Sequence, residues 1–312
     1  MKELTTFDFV FLVEPAGIFG IEEAGKTIIS AEEGDQIVSP ILDSRTMNIV
    51  SWGTQSRLRA LDKKLDLPLN IDGAIFRFSD NFLFVSVPGH SLEEAESKLI
   101  PALKRLILYL SFSQNTFIRY TLVQATNVVG ERIPIPKLVK LGSLRFYNLD
   151  NLRKQLSEFE SASKTVYSEN RISKALEYFG KGLLFCELLE DSRYSILNPF
   201  DPLSLSETSL RAETFLNFWK VIAIILGEKM EGKRFQSFYK KLGMSNEEFR
   251  QNILPLYKVR NDYDVAHSKR QATLATPNVV TREHLTACQK EAKNLIERYA
   301  HYLSKNKGTL KT

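Results

Sequence analysis

The stretch LYKVRNDYDVAH, residues 256–267, decides how the second half of the chain is read. It gathers an arginine, an asparagine, two aspartates, two tyrosines and a histidine into a segment whose apolar positions recur at helical spacing. On a helix, Leu256, Val259, Tyr263 and Ala266 form one buried stripe. Arg260 and His267 are seven positions apart, which at about 100° per residue leaves them about 20° apart around the axis. They face the same way, two turns from each other. Asp264 falls between them, within side-chain reach of both. The plainest outcome is a surface row in which Asp264 pairs with Arg260. The functional one joins an imidazole, which transfers protons near neutral pH, to a guanidinium, whose fork of donors fits phosphate oxygens. That pairing suits cleavage of RNA, where the 2′-hydroxyl attacks its own phosphodiester and no metal is required.

The segments around this stretch are helical. ENRISKALEYFGKGLLFCELLE (169–190) sets Ile172, Ala175, Leu176, Phe179, Leu183 and Cys186 along one stripe. Ser204 and Glu207 form a capping-box signal ahead of the apolar run TFLNFWKVIAIIL (214–226), which stops at Gly227. Residues 245–267, kinked or restarted at Pro255, and 281–304 supply two more helices. Short connections between such helices describe a bundle.

Upstream, the pattern differs. FDFVFLV (7–13), AIFRF (74–78), FLFVSV (82–87) and TFIRYTLV (116–123) read as strands, the middle two forming a hairpin across residues 79–81. Ser91 and Glu94 cap a helix carrying Leu92, Ala95, Leu99, Leu103, Leu106 and Leu110, with Pro101 inside it. The expected fold class is α+β: a mixed domain over residues 1–147, a helical linker over 148–164, and an all-α bundle over 165–312. No nameable chemistry falls in the first part. Its glycine before a helix N-terminus (VPGHSLEEAESK, 87–98) lacks phosphate-loop spacing and reads as a turn plus cap.

Charge is uneven. Residues 1–150 hold 16 Lys+Arg against 18 Asp+Glu, net −2, and residues 151–312 hold 26 against 19, net +7. A basic half favours a polyanionic partner or is simply solubilising charge. KMEGKRFQSFYKK (229–241) interleaves basic residues with Phe235, Phe238 and Tyr239, either for phosphate contact and base stacking or as a helix with aromatics inward and lysines outward. Lys233, Arg234, Lys258, Lys269 and Arg270 are the candidate RNA contacts. Two cysteines are too few for a disulfide framework, the first residues make a poor signal peptide, and no apolar stretch reaches membrane-spanning length, so a cytoplasmic chain without membrane contact is expected. His284 and Cys288 stand at metal-ligand spacing, but no second pair completes a site, so they read as packing, and neither metal nor cofactor is expected.

An Arg followed by a polar residue, commonly Asn, and then a His after four to six residues resembles the signature of HEPN domains. The resemblance covers about residues 165–305. It implies an up-and-down helical bundle that dimerises, with the motifs of two copies facing across a shared cleft, and in many members a metal-independent ribonuclease of toxin or antiviral defence systems. By that resemblance Arg260 contacts the scissile phosphate, Asn261 positions the arginine or the RNA, and His267 transfers protons. Tyr263 and Asp264 lie in the variable spacer, and their supporting role rests on helical geometry alone. The expected function is an endoribonuclease leaving 2′,3′-cyclic phosphate ends. Two alternatives stay open: a non-catalytic module that binds RNA, a nucleotide or a protein, and a purely structural dimer interface. The sequence is silent on an inhibitor or antitoxin.

Overall fold

Phe7, Phe9, Phe11 and Val13 alternate with Asp8, Val10 and Leu12, and this period of two makes a strand with one fully buried face, β1 (Thr5–Glu14). The computed structural model describes residues 4–15, 18–19, 36–42, 49–56, 65, 67–79, 82–126, 132–134, 149–190, 207–227, 238–262 and 280–306. Its other strands are β2 (Gln36–Leu42), β3 (Ile49–Ser56), β4 (Leu69–Ile71), β5 (Ala74–Ser79), β6 (Phe82–Gly89), β7 (Arg119–Thr126) and β8 (Arg132–Pro134). Six of them form an antiparallel sheet in the order β4-β5-β6-β1-β7-β8, and β2 pairs with β3 separately.

The hairpin expected around residues 79–81 is the β5–β6 pair, in register from Ile75 opposite Ser86 to Ser79 opposite Phe82. Phe76, Phe78, Leu83, Val85 and Val87 join the β1 aromatics in the core. On the opposite face the Ser86 hydroxyl donates to Asp8 Oδ1 at 2.7 Å. β4 and β5 meet at Asp72 and Gly73, both at positive φ (54° and 87°), the conformation of the tight turn that matches strand twist. Gly73 adopts it without side-chain strain.

The helices are α1 (Leu92–Gln114), α2 (Leu149–Ser163), α3 (Asn170–Glu190), α4 (Glu207–Leu226), α5 (Leu254–Asp262) and α6 (Arg282–Asn306). α1 starts as its cap predicts: Ser91 Oγ accepts from the Glu94 N–H at 3.2 Å, and the Glu94 carboxylate accepts from the His90 N–H at 2.9 Å. It runs unbroken through Pro101. The strand expected at 116–123 begins only at Arg119, because the preceding residues close the helix. Asn115 turns to φ 51°, the Thr116 N–H donates to the Ser111 carbonyl, and the Ile118 N–H donates to the buried Ser111 hydroxyl.

The chain forms two compact units, one from Met1–Glu96 with Arg119–Leu156 and one from Ser97–Ile118 with Ser157–Thr312. The boundary therefore differs from the expected one. Most of α1, placed in the first domain by sequence, and the end of α2, placed in a linker, build the helical unit. Tyr109 of α1 stacks on Phe159 of α2 (4.3 Å between centroids), and Phe112 meets Phe179 of α3 edge-on (5.5 Å). Phe179 in turn packs on Phe218 of α4 (5.3 Å). The stripe predicted on α3 is buried from Ile172 to Leu183, but Cys186 is half-exposed.

Candidate functional site

α5 follows a short helical turn (Asn246–Glu248) and a π-helical turn (Phe249–Ile253), so the α-helical ladder restarts at Leu254, beside the Pro255 where a kink or restart was expected. Proline lacks the N–H that would continue an α-helical ladder, and the wider turn just before it absorbs the misfit, with the Leu254 N–H donating to the Phe249 carbonyl. Ser245 caps this entry: its hydroxyl accepts from the Glu248 N–H at 3.0 Å while the Glu248 carboxylate accepts from the Ser245 N–H at 2.8 Å. Those bonds, the Ser245 backbone first and Arg298 next, hold the Glu248 carboxyl below the usual carboxylate range.

Leu256 and Val259 are buried, as the stripe requires, and Tyr257 leans on Trp219 of α4 (5.9 Å). These contacts fix which side of α5 faces the core. Lys258 is exposed, whereas Arg260 and Asn261 sit half-buried at the end of the described helix. The Arg260 guanidinium donates through Nη1 to Asn261 Oδ1 at 2.9 Å. One of its five N–H donors is thereby used to orient the fork. Tyr263, Asp264, His267, Lys269, Arg270, Lys233 and Arg234 lie outside the described residues. Arg260 and Asn261 are thus brought together, and the expected alignment of Arg260 with His267 falls on residues whose placement is not described.

The aromatic-basic run at 229–241 is described from Phe238 onward. Tyr239 is buried and stacked on Phe249 (4.8 Å), Phe238 packs edge-on against Tyr299 and Tyr302 (6.2 Å each), and Lys240 and Lys241 are exposed. Aromatics point inward and lysines outward over these four residues.

His284 and Cys288 are occupied separately. His284 Nδ1 accepts from the Thr281 N–H, and the Thr281 hydroxyl accepts from the His284 N–H, both at 3.3 Å, which caps α6. The Cys288 thiol is fully buried 3.9 Å from the Phe215 carbonyl, and burial pushes its pKa well up. Among the described residues no group of three or more His, Cys, Asp or Glu is placed to hold a metal, and no helix is long and apolar enough to cross a membrane.

Two more cationic features lie among the described residues. Lys181 of α3 and Lys220 of α4 both lie 5.0 Å from the centroid of the Tyr178 ring. A groove of about 680 Å³ runs between the 241–243 turn and the end of α6, bordered by Lys241, Arg298, His301, Tyr302 and Lys305. Besides the basic-aromatic run that ends at Lys241, the local signal for the groove was the spacing of Arg298 with Tyr302 and of His301 with Lys305, each four apart on α6.

No family model matches the chain, and neither a curated protein nor a solved structure matches it.

Proposed function

We propose that the chain is a metal-independent endoribonuclease of HEPN type, acting in a toxin or antiviral defence role through a homodimer of its helical unit. The observation that supports this most is the half-buried Arg260 on α5, whose guanidinium is held by the adjacent Asn261 carboxamide at 2.9 Å. In the proposed reaction His267 takes the proton of the ribose 2′-hydroxyl. The O2′ atom attacks phosphorus, and Arg260 stabilises the charge on the phosphorane through bidentate donation. The 5′-oxygen then leaves with a proton, and the product is a 2′,3′-cyclic phosphate. Asn261 limits the torsions of the arginine, so less freedom is lost when the phosphate arrives.

The test is incubation of the purified full chain with single-stranded RNA in EDTA. Wild type is expected to leave 2′,3′-cyclic phosphate ends, and His267→Ala to slow cleavage by about 100- to 10,000-fold, the usual worth of a general acid or base. Arg260→Ala is expected to act in the same direction. Wild-type RNA binding without product overturns the nuclease in favour of a non-catalytic binding module, and equal cleavage by His267→Ala overturns the proposed reaction. In cells, growth arrest by wild type but not by His267→Ala is the expected companion result.

A further inference from the structure

We propose that the groove between the 241–243 turn and the end of α6 docks the backbone of single-stranded RNA through residues other than those of the proposed reaction. The choice of RNA rests on the ribonuclease reading above; the anionic character of the ligand follows from the groove itself. Among the described residues no acidic side chain borders it, while Lys241 and Lys305 stand exposed on its two sides.

Arg298 works as a strut. Its Nη1 donates to the Gly243 carbonyl at 2.8 Å and its Nη2 to Glu248 at 2.9 Å, which ties the turn to α6 across more than fifty positions of sequence. Gly243 sits at φ +72°, and no atom crowds the place of a Cβ there, so the turn leaves open space at that point. Glu248, the acid that Arg298 meets, is also engaged by the Ser245 N–H. Lys241 and Lys305 are the exposed lysines that border the groove.

The groove is also aromatic. Tyr302 borders it half-buried, backed by a parallel Tyr299 ring (6.2 Å, 12°) and by Phe238. Arg171 of α3 lies 5.9 Å from the centroid of Phe238, adding a cation behind that wall. Cations that follow a chain of phosphates, beside a ring on which a base can stack, are what single-stranded nucleic acid requires. An acidic peptide would use the lysines and leave the ring idle.

The experiment measures binding of a fluorescein-labelled, non-cleavable 2′-O-methyl RNA strand to the full chain as a function of salt. Each phosphate contact to a single strand contributes about 0.7 to the slope of log K against log salt. Lys241→Gln with Lys305→Gln is thus expected to lower the slope by about 1.4 and weaken binding about 25-fold near 0.1 M salt. Lys164→Gln with Lys290→Gln removes the same charge from exposed positions that do not border the groove, and is expected to change affinity less than about threefold. Equal losses in the two pairs, no loss in the groove pair, or no binding by wild type overturns the proposal. Competition by poly-glutamate as effective as by RNA of equal charge overturns the assignment to RNA. The two readings fail separately: a chain that cleaves nothing yet loses binding in the groove pair keeps the groove and removes the nuclease. Cleavage with binding untouched in that pair does the reverse.

Discussion

Two glycines two residues apart on α3 should respond to alanine in opposite directions. A Cβ at Gly182 would lie 2.5 Å from Phe218 Cε1 and 2.7 Å from two more atoms of that ring, whereas a Cβ at Gly180 would find only Leu108 Cδ2, at 3.4 Å. Carbon atoms prefer about 3.5–4.0 Å, so Gly182→Ala demands a shift of about 1 Å. The Phe218 ring has nowhere simple to go: it is fully buried against Phe179, which is itself held by Phe112. Replacing a helical glycine with alanine gains about 1 kcal/mol, and overpacking a core costs typically about 1–3 kcal/mol. At Gly182 the second effect wins, by about 1–2 kcal/mol in the middle and upper parts of that range, lowering the melting temperature by about 2–8 °C. At Gly180 the first effect is nearly unopposed, and the melting temperature should rise by about 2–4 °C. Thermal and urea unfolding of both variants measures this. Phe218→Leu combined with Gly182→Ala should lose less than the sum of the two single losses, since the shorter side chain vacates the space. A Gly182→Ala protein that melts at or above wild type, or equal shifts at the two sites, would refute the packing of α3 against α4 described above.

Alkaline stability should depend on the tyrosine pair in the helical unit. Burial, opposed by the hydrogen bond with Tyr109 and helped by the Glu158 and Glu297 carboxylates, pushes Tyr167 up to about 12, and burial raises its partner Tyr109 as well. Both are neutral in the fold, so their contribution is complete below about 10, where an unfolded tyrosine is also protonated, and drains away as pH rises from 10 through the folded value. Phenolate absorbance should show a late-ionising component that shrinks in Tyr109→Phe/Tyr167→Phe, the buried Tyr299 keeping a share of it; a wild-type curve in which every tyrosine ionises near 10 contradicts it. The two thiols should separate equally clearly. Cys186 is half-exposed and should react with a thiol reagent in the native protein, while Cys288, fully buried, should react only on unfolding; two fast thiols per chain would contradict its burial.

The α+β reading was available from sequence because period-two and period-3.6 patterns are local. Phe7, Phe9, Phe11 and Val13 announce a strand, and Ser91 with Glu94 announces a helix start, without reference to anything distant. The domain boundary was not, because the pattern that marks α1 as amphipathic does not say which core receives it. Tyr109 and Phe112 meet partners about fifty and seventy positions away, on α2 and α3. The strand β7 was placed three residues early for a related reason: Thr116 to Ile118 read as β-formers, but the end of α1 needs their N–H groups.

Charge shows the same limit from another side. The surplus of basic residues after position 150 is plain in composition, yet composition weighs every cation equally, and the fold does not. Arg298 is a basic residue whose charge is met by Glu248, fifty positions upstream, and whose second amino group is committed to a backbone carbonyl. It holds the groove open more than it attracts anything. Lys241 and Lys305 carry the same formal charge without such ties among the contacts described, and they stand where Arg298 has set them. Arg260 lies between these cases. Neighbouring side chains on a helix do not ordinarily face each other, and its pairing with Asn261 depends on the reach of an arginine side chain. The 2.9 Å bond to a neutral carboxamide directs the guanidinium without cancelling its charge, which is the property a phosphate-binding arginine needs.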